Sequence, residues 1–118
     1  MKVTNEQIQY LSNLYTKSLQ YLQDNQIEEA EKYSLELVRL VPDNSDILNL
    51  LGRLYQFKGK FDLSIEYLEK SIKSNPENIL ARYNLIFANV ALKKLENSKK
   101  ACYDYINCNV EHGNKNYV

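Results

Sequence analysis

An all-α fold is predicted for this chain: three helix-turn-helix hairpins, six helices in all, stacked as a single domain over residues 1–118. Three observations carry that prediction. The 118 residues include only 3 Gly and 2 Pro, too few for the tight turns of an all-β or α/β chain. Apolar residues recur at helical spacing in short segments separated by polar turns. Finally, the sequence repeats itself at a step of 34 residues. Pro42-Asp43-Asn44 corresponds to Pro76-Glu77-Asn78, and Leu14, Ser18, Tyr21, Ala30 and Tyr33 correspond to Leu48, Gly52, Tyr55, Ser64 and Tyr67. With 44% hydrophobic and 25% charged residues, the composition is that of a globular chain and not a disordered one.

The elements follow in order. Thr4-Asn5-Glu6-Gln7 fits a capping box, in which a Thr hydroxyl and a Gln side chain each satisfy an end amide, so the first helix starts near Asn5. Asp24-Asn25-Gln26 is the turn of the first hairpin and Pro42 its stop. In the middle hairpin, Leu48, Leu51, Gly52 and Tyr55 form one stripe of a helix running from Ser45 to Phe57. After the Lys58-Gly59-Lys60 turn, Phe61, Ile65, Leu68 and Ile72 form the stripe of the next. Glu66 and Lys70 lie on its solvated face at a pairing distance of one turn. Pro76 removes a donor and disfavours helical dihedrals at Asn75, so this helix is expected to stop near Lys73. The third hairpin repeats the step, with Leu51 matched by Leu85, Phe61 by Leu95 and Ile72 by Ile106. The repeats are set at 11–44, 45–78 and 79–112, followed by a tail at 113–118.

Leu48, Leu51, Gly52, Tyr55, Ser64, Leu68 and Pro76 stand where the tetratricopeptide repeat family has its W-x2-L-G-x2-Y, A-x3-F and P positions. The chain therefore resembles that family, and the resemblance implies a TPR-like superhelical array. The first repeat matches through Ser18, Tyr21, Ala30 and Pro42, although Lys17 and Ser34 occupy positions that are usually apolar. The third is degenerate: Ile86 replaces the small residue, Asn89 the Tyr and Val110 the Pro. Small residues at Ser18, Gly52, Ala30, Ser64 and Ser98 are expected to let paired helices approach, with Tyr21 and Tyr55 filling space between neighbours. A hairpin cannot bury its apolar stripe alone, so stacked units share a core and terminal units are atypical. Such arrays usually end in a solvating helix. Only His112 to Val118 remains for that role, which calls for an adapted outer face or a partner on the last hairpin.

Several chemistries are excluded. Lys plus Arg number 15 and Asp plus Glu 15, for a formal net charge of +0, without the basic excess of a nucleic-acid binder. No segment has the ~18–20 apolar residues of a membrane span, and the N-terminus lacks the apolar core of a secretion signal. Cys102 and Cys108, on one helix, would be separated by about 9 Å of rise on different faces, a geometry that cannot close a disulfide. No Asn is followed two places on by Ser or Thr, so there is no glycosylation acceptor. These features predict a cytoplasmic protein with free thiols packing the last helix. His112 is the single His, which leaves neither a metal site nor a Cys–His couple, and no phosphate-binding glycine loop, GxSxG or HExxH occurs. The expected protein is not an enzyme and carries no cofactor or metal. Lys93-Lys94 and Lys99-Lys100 are read as a solvated basic face.

In the tetratricopeptide family the first helix of each repeat lines a concave surface where ligands dock. By position, the resemblance assigns to that groove Tyr15, Leu19 and Leu22 from the first repeat, Asn49, Leu50, Arg53, Gln56 and Phe57 from the second, and Leu80, Tyr83, Asn84 and Phe87 from the third. One subgroup holds the C-terminal carboxylate of heat-shock chaperones in a clamp of two Lys, two Asn and one Arg. The matching positions here are Tyr15, Leu19, Leu50, Leu80 and Asn84. A carboxylate buried there would lose solvation without a cationic partner, so a chaperone tail is not expected as ligand. Aromatic and aliphatic side chains around one Arg have the composition of an interface core. The expected function is a protein-interaction module, adaptor or chaperone-like, binding an apolar or amphipathic peptide. The alternative is a homo-oligomeric scaffold whose groove or C-terminal end face is covered by another copy.

Overall fold

The structure is a computed structural model that describes residues 3–108. The end of the third repeat, including Val110 and His112, and the tail at 113–118 lie outside the described residues. Six helices follow one another: α1 (Asn5–Gln23), α2 (Ile27–Leu40), α3 (Ser45–Phe57), α4 (Phe61–Ser74), α5 (Ile79–Ala91) and α6 (Leu95–Cys108). The capping box forms as expected, with Thr4 Oγ1 accepting from the Gln7 amide at 3.1 Å and Gln7 Oε1 accepting from the Thr4 amide at 2.8 Å.

The turns inside the three hairpins share one geometry. Asn25, Gly59 and Lys93, each 34 positions from the next, have φ of 61°, 76° and 59°. On either side of them the same two bonds recur. The amides of Gln26, Lys60 and Lys94 donate to the carbonyls of Tyr21, Tyr55 and Asn89, and those of Asn25, Gly59 and Lys93 to Leu22, Gln56 and Val90. This left-handed cap satisfies helix-end carbonyls and reverses the chain. Between hairpins, α2 and α4 end before Pro42 and Pro76, and α4 runs one residue past the expected stop. Asn44 and Asn78 then cap α3 and α5 by accepting from the amides of Ile47 and Ala81.

The main core lies between the first two hairpins, where Leu14, Leu22, Ala30, Leu37, Leu50, Leu51, Leu54 and Tyr55 are buried together. A smaller core of Ile65, Leu68, Ala81 and Ala88 joins α4 to α5. Ser18, Ala30 and Ser64 are fully buried and Ser98 nearly so, as close helix approach requires. Ser64 Oγ donates to the Gly52 carbonyl at 2.6 Å and Ser18 Oγ to the Leu14 carbonyl at 2.9 Å. Tyr21 stacks on Tyr33 and Tyr55 on Tyr67, each pair with ring centroids 5.6 Å apart. Tyr55 also reaches back to the preceding hairpin, its hydroxyl donating to Glu31 at 2.8 Å.

Candidate functional site

α3 and α5 present adjacent faces to a pocket of about 320 Å³ lined by Arg53, Gln56, Phe57, Tyr83, Asn84 and Phe87. On α5 the pocket residues fall at i, i+1 and i+4, one face of a helix. Phe57 is 61% exposed, while Tyr83 and Phe87 are just under half exposed. The Tyr83 ring is held between two others, edge-on to Phe87 at 4.9 Å and tilted against Tyr105 of α6 at 5.7 Å. Beside them, Asn84 Nδ2 donates to Asn49 Oδ1 at 2.9 Å, tying α5 to α3 at the floor of the groove.

The structure thus brings together six of the residues that the positional assignment puts on the groove: Arg53, Gln56, Phe57, Tyr83, Asn84 and Phe87. Two expected residues are not groove residues. Leu50 is 1% exposed and Leu22 4%, and both belong to the main core. For Leu50 the reason is the central position of α3, which packs against α1, α2, α4 and α5 at once. Leu22, near the end of α1, is instead closed into the cluster that includes Ala30 and Leu37 of α2. Asn49 is likewise buried, with its carboxamide turned to Asn84. Leu19 is half-buried against the core.

Tyr15 sits apart, half-buried in a second pocket of about 260 Å³ with Leu11, Val41, Ile47 and Asp46. Burial, followed by the nearby Asp46 carboxylate, pushes its phenol above the ordinary value, with Arg53 opposing. Val41 comes from the end of α2, a contribution that no spacing within α1 could reveal.

Three lysines of the last hairpin pair with nearby acids. Lys94 pairs with Asp62 at 3.6 Å, Lys99 with Glu96 at 3.8 Å and Lys100 with Asp104 at 2.8 Å. Both cysteines are free, and Cys108 Sγ packs 3.6 Å from the Pro76 carbonyl oxygen. Among the described residues no three His, Cys, Asp or Glu side chains are grouped to hold a metal, and no helix is long and apolar enough to cross a membrane.

Stacked helical hairpins with a solvent-open, aromatic inner surface define a helical-repeat protein. Residues 45–78 match the family model for the tetratricopeptide repeat, and the six-helix array built around them has the fold of a tetratricopeptide-repeat array. A DnaJ homolog subfamily C member 7 homolog of Schizosaccharomyces pombe is 29% identical over 89 residues, which is 75% of this chain and 18% of that relative's length. Among solved structures, the first such domain of Spaghetti (RPAP3) bound to the Hsp90 peptide SRMEEVD superposes with a TM-score of 0.80 at 21% identity. The match covers 85% of this chain and 79% of that one. The TPR2B domain of yeast Sti1 in complex with an Hsp70 peptide gives 0.85 at 15%, covering 90% and 85%. The type III secretion translocator chaperone SycD of Yersinia enterocolitica gives 0.84 at 16%, covering 97% and 77%. These likenesses establish the fold.

Proposed function

We propose that the chain is a protein-interaction module that holds an apolar or amphipathic peptide segment between α3 and α5. The observation that carries this reading is the exposed trio Phe57, Tyr83 and Phe87 around one pocket. Aromatic anchors with a single Arg are the residues that dominate protein interfaces. Arg53, Gln56 and Asn84 supply hydrogen bonds that fix the register of a bound backbone. The relatives that carry chaperone peptides support the class of ligand, a peptide, and make the acidic tail the natural competitor to test. Of the positions corresponding to the carboxylate clamp, Tyr15, Leu19, Leu50 and Leu80 offer no cation, and Leu50 is buried.

The test is a titration of the isotopically labelled chain, followed by amide NMR, with two probes: an amphipathic helical peptide bearing Leu and Phe on one face, and SRMEEVD. The expected result is saturable shifts at Arg53, Phe57, Tyr83 and Phe87 with the first probe, lost in Phe57→Ser/Phe87→Ser, and at least tenfold weaker binding of the second. Tighter binding of SRMEEVD at this groove would overturn the apolar assignment.

Self-association is the second reading, favoured by the outer face of α6. Tyr103 and Ile106, at i and i+3 on that helix, are 68% and 52% exposed, an apolar pair that does not line the groove pocket. Sedimentation equilibrium over a wide concentration range decides it. A reversible dimer lost in Ile106→Glu places the contact on the end face, and one lost in Phe87→Glu places it in the groove.

A further inference from the structure

The third hairpin lacks the ring pair that fills the other two. Tyr21 and Tyr33, then Tyr55 and Tyr67, stack at 5.6 Å. The positions 34 residues beyond the second pair are Asn89 and Ala101. Both line a pocket of about 290 Å³ between α4, α5 and α6, whose apolar walls include Ile65, Ile72 and Leu85. Ile65 stands where the second hairpin's tyrosine meets its acid, Glu31, 34 residues earlier. The space vacated by two rings has therefore also lost the carboxylate that faced them. Residues 82, 85 and 89 lie on the side of α5 opposite residues 83, 84 and 87, since each residue turns the helix by about 100°. The pocket is separate from the groove.

From this we infer that the junction between the second and third hairpins is a binding site for a small neutral aromatic ring, a phenol or indole. Its volume exceeds the ~150 Å³ in which an engineered apolar cavity takes up benzene. Asn89, nearly fully buried, donates through Nδ2 to the Leu85 carbonyl at 3.1 Å, while its Oδ1 has no hydrogen-bond partner among the described residues. That oxygen lies on a residue lining the pocket and accepts from a phenol O–H or an indole N–H. The rim carries Glu69 and Asp104 against Arg82 and Lys100. Lys100 is paired with Asp104, and Arg82 donates to the Pro76 carbonyl, so no charge excess selects an ion. The walls suit flat apolar faces, as the stacked pairs do elsewhere.

The test uses the full chain and four probes: p-cresol, indole, N-acetyl-tyrosinamide and, as control, cyclohexanol. Amide shifts at Leu85, Asn89 and Ala101 are expected to saturate with the rings at a Kd on the order of 1 mM, a strength usual for ligands of so few atoms, and not with cyclohexanol. Shifts from N-acetyl-tyrosinamide as well assign the site to a partner's tyrosine side chain, and shifts from the free rings alone assign it to a small molecule. Asn89→Tyr/Ala101→Tyr rebuilds the missing stack and should abolish the shifts while raising Tm. Should that pair not fold, Ala101→Phe fills the same space and serves with Tm as its folding control. Unsaturable shifts up to ring solubility, or unchanged affinity in a folded filled variant, would overturn the inference. Phe57→Ser leaves this binding untouched, which separates it from failure of the groove reading.

Discussion

Gly52 and Leu68 meet face to face inside the middle hairpin: a Cβ placed on Gly52 would stand 2.5 Å from Leu68 Cδ2 and 2.6 Å from Leu68 Cγ. α3 and α4 are this close because one position gave up its side chain and the facing one kept a large, fully buried one. The equivalent pairs divide the space differently, as Ser18 with Ser34 in the first hairpin and Ile86 with Cys102 in the third. Gly52→Leu is accordingly expected to destabilise the chain by about 3 kcal/mol, from overpacking a filled interior. Thermal denaturation checks this, and Gly52→Ala/Leu68→Ala should cost less than the sum of its single changes, because the two share one space.

Ser34 is the counterpart of Leu68 and carries a fully buried Oγ with no hydrogen-bond partner among the described residues. An unpaired buried hydroxyl costs about 1–3 kcal/mol. Ser34→Ala is expected to be neutral or to stabilise by up to ~1 kcal/mol in urea unfolding. A loss of more than ~1 kcal/mol would show that the hydroxyl is satisfied in solution.

Lys93 adopts a φ of 59° where the preceding repeats place Gly59 and Asn25. Left-handed backbone costs a residue with a Cβ about 1–2 kcal/mol, and Gly nothing. Lys93→Gly should raise Tm, and Gly59→Ala should lower it, with no change in helix content by circular dichroism.

Glu31 links the first two hairpins, accepting from Lys58 Nζ at 2.7 Å and from the Tyr55 hydroxyl at 2.8 Å. The Lys58 ammonium foremost, aided by Tyr55, holds its carboxyl below the usual value near 4.5. Between that depressed value and 4.5 the unfolded chain binds the extra proton. The contribution is therefore whole above about pH 4.5 and disappears as pH falls through the folded value. Glu31→Gln should flatten the acid limb of the stability profile. Tyr55→Phe removes one charge-assisted hydrogen bond and should cost about 1–2 kcal/mol at neutral pH.

Phe57 and Tyr83 share the groove but differ in support. Phe57, at the end of α3, is mostly exposed, whereas Tyr83 touches both Phe87 and Tyr105. Phe57→Ala is expected to move unfolding free energy by less than ~0.5 kcal/mol, as for surface positions. Tyr83→Ala should cost about 1 kcal/mol from the lost ring contacts. Both should weaken the amphipathic probe peptide, measured by the same titration.

The sequence by itself determined the six helices, their turns and their 34-residue step. These depend on local chemistry: the Thr4 capping box, Asn25 and Gly59 in left-handed turns, Pro42 and Pro76 as stops. Such signals act within one helical turn and can be read from neighbours in the chain. The resemblance to the tetratricopeptide family, carried over by position, also put Phe57, Tyr83 and Phe87 on the groove. Only the tertiary structure decided that Leu22 and Leu50 are core, that Tyr15 belongs to a different pocket, and that Asn89 and Ala101 leave a space where two tyrosine rings stack elsewhere. Each of these depends on which helices flank a given face, as on α3, which four others surround. That burial is a property of the stacked array and is not present in the period of any one helix.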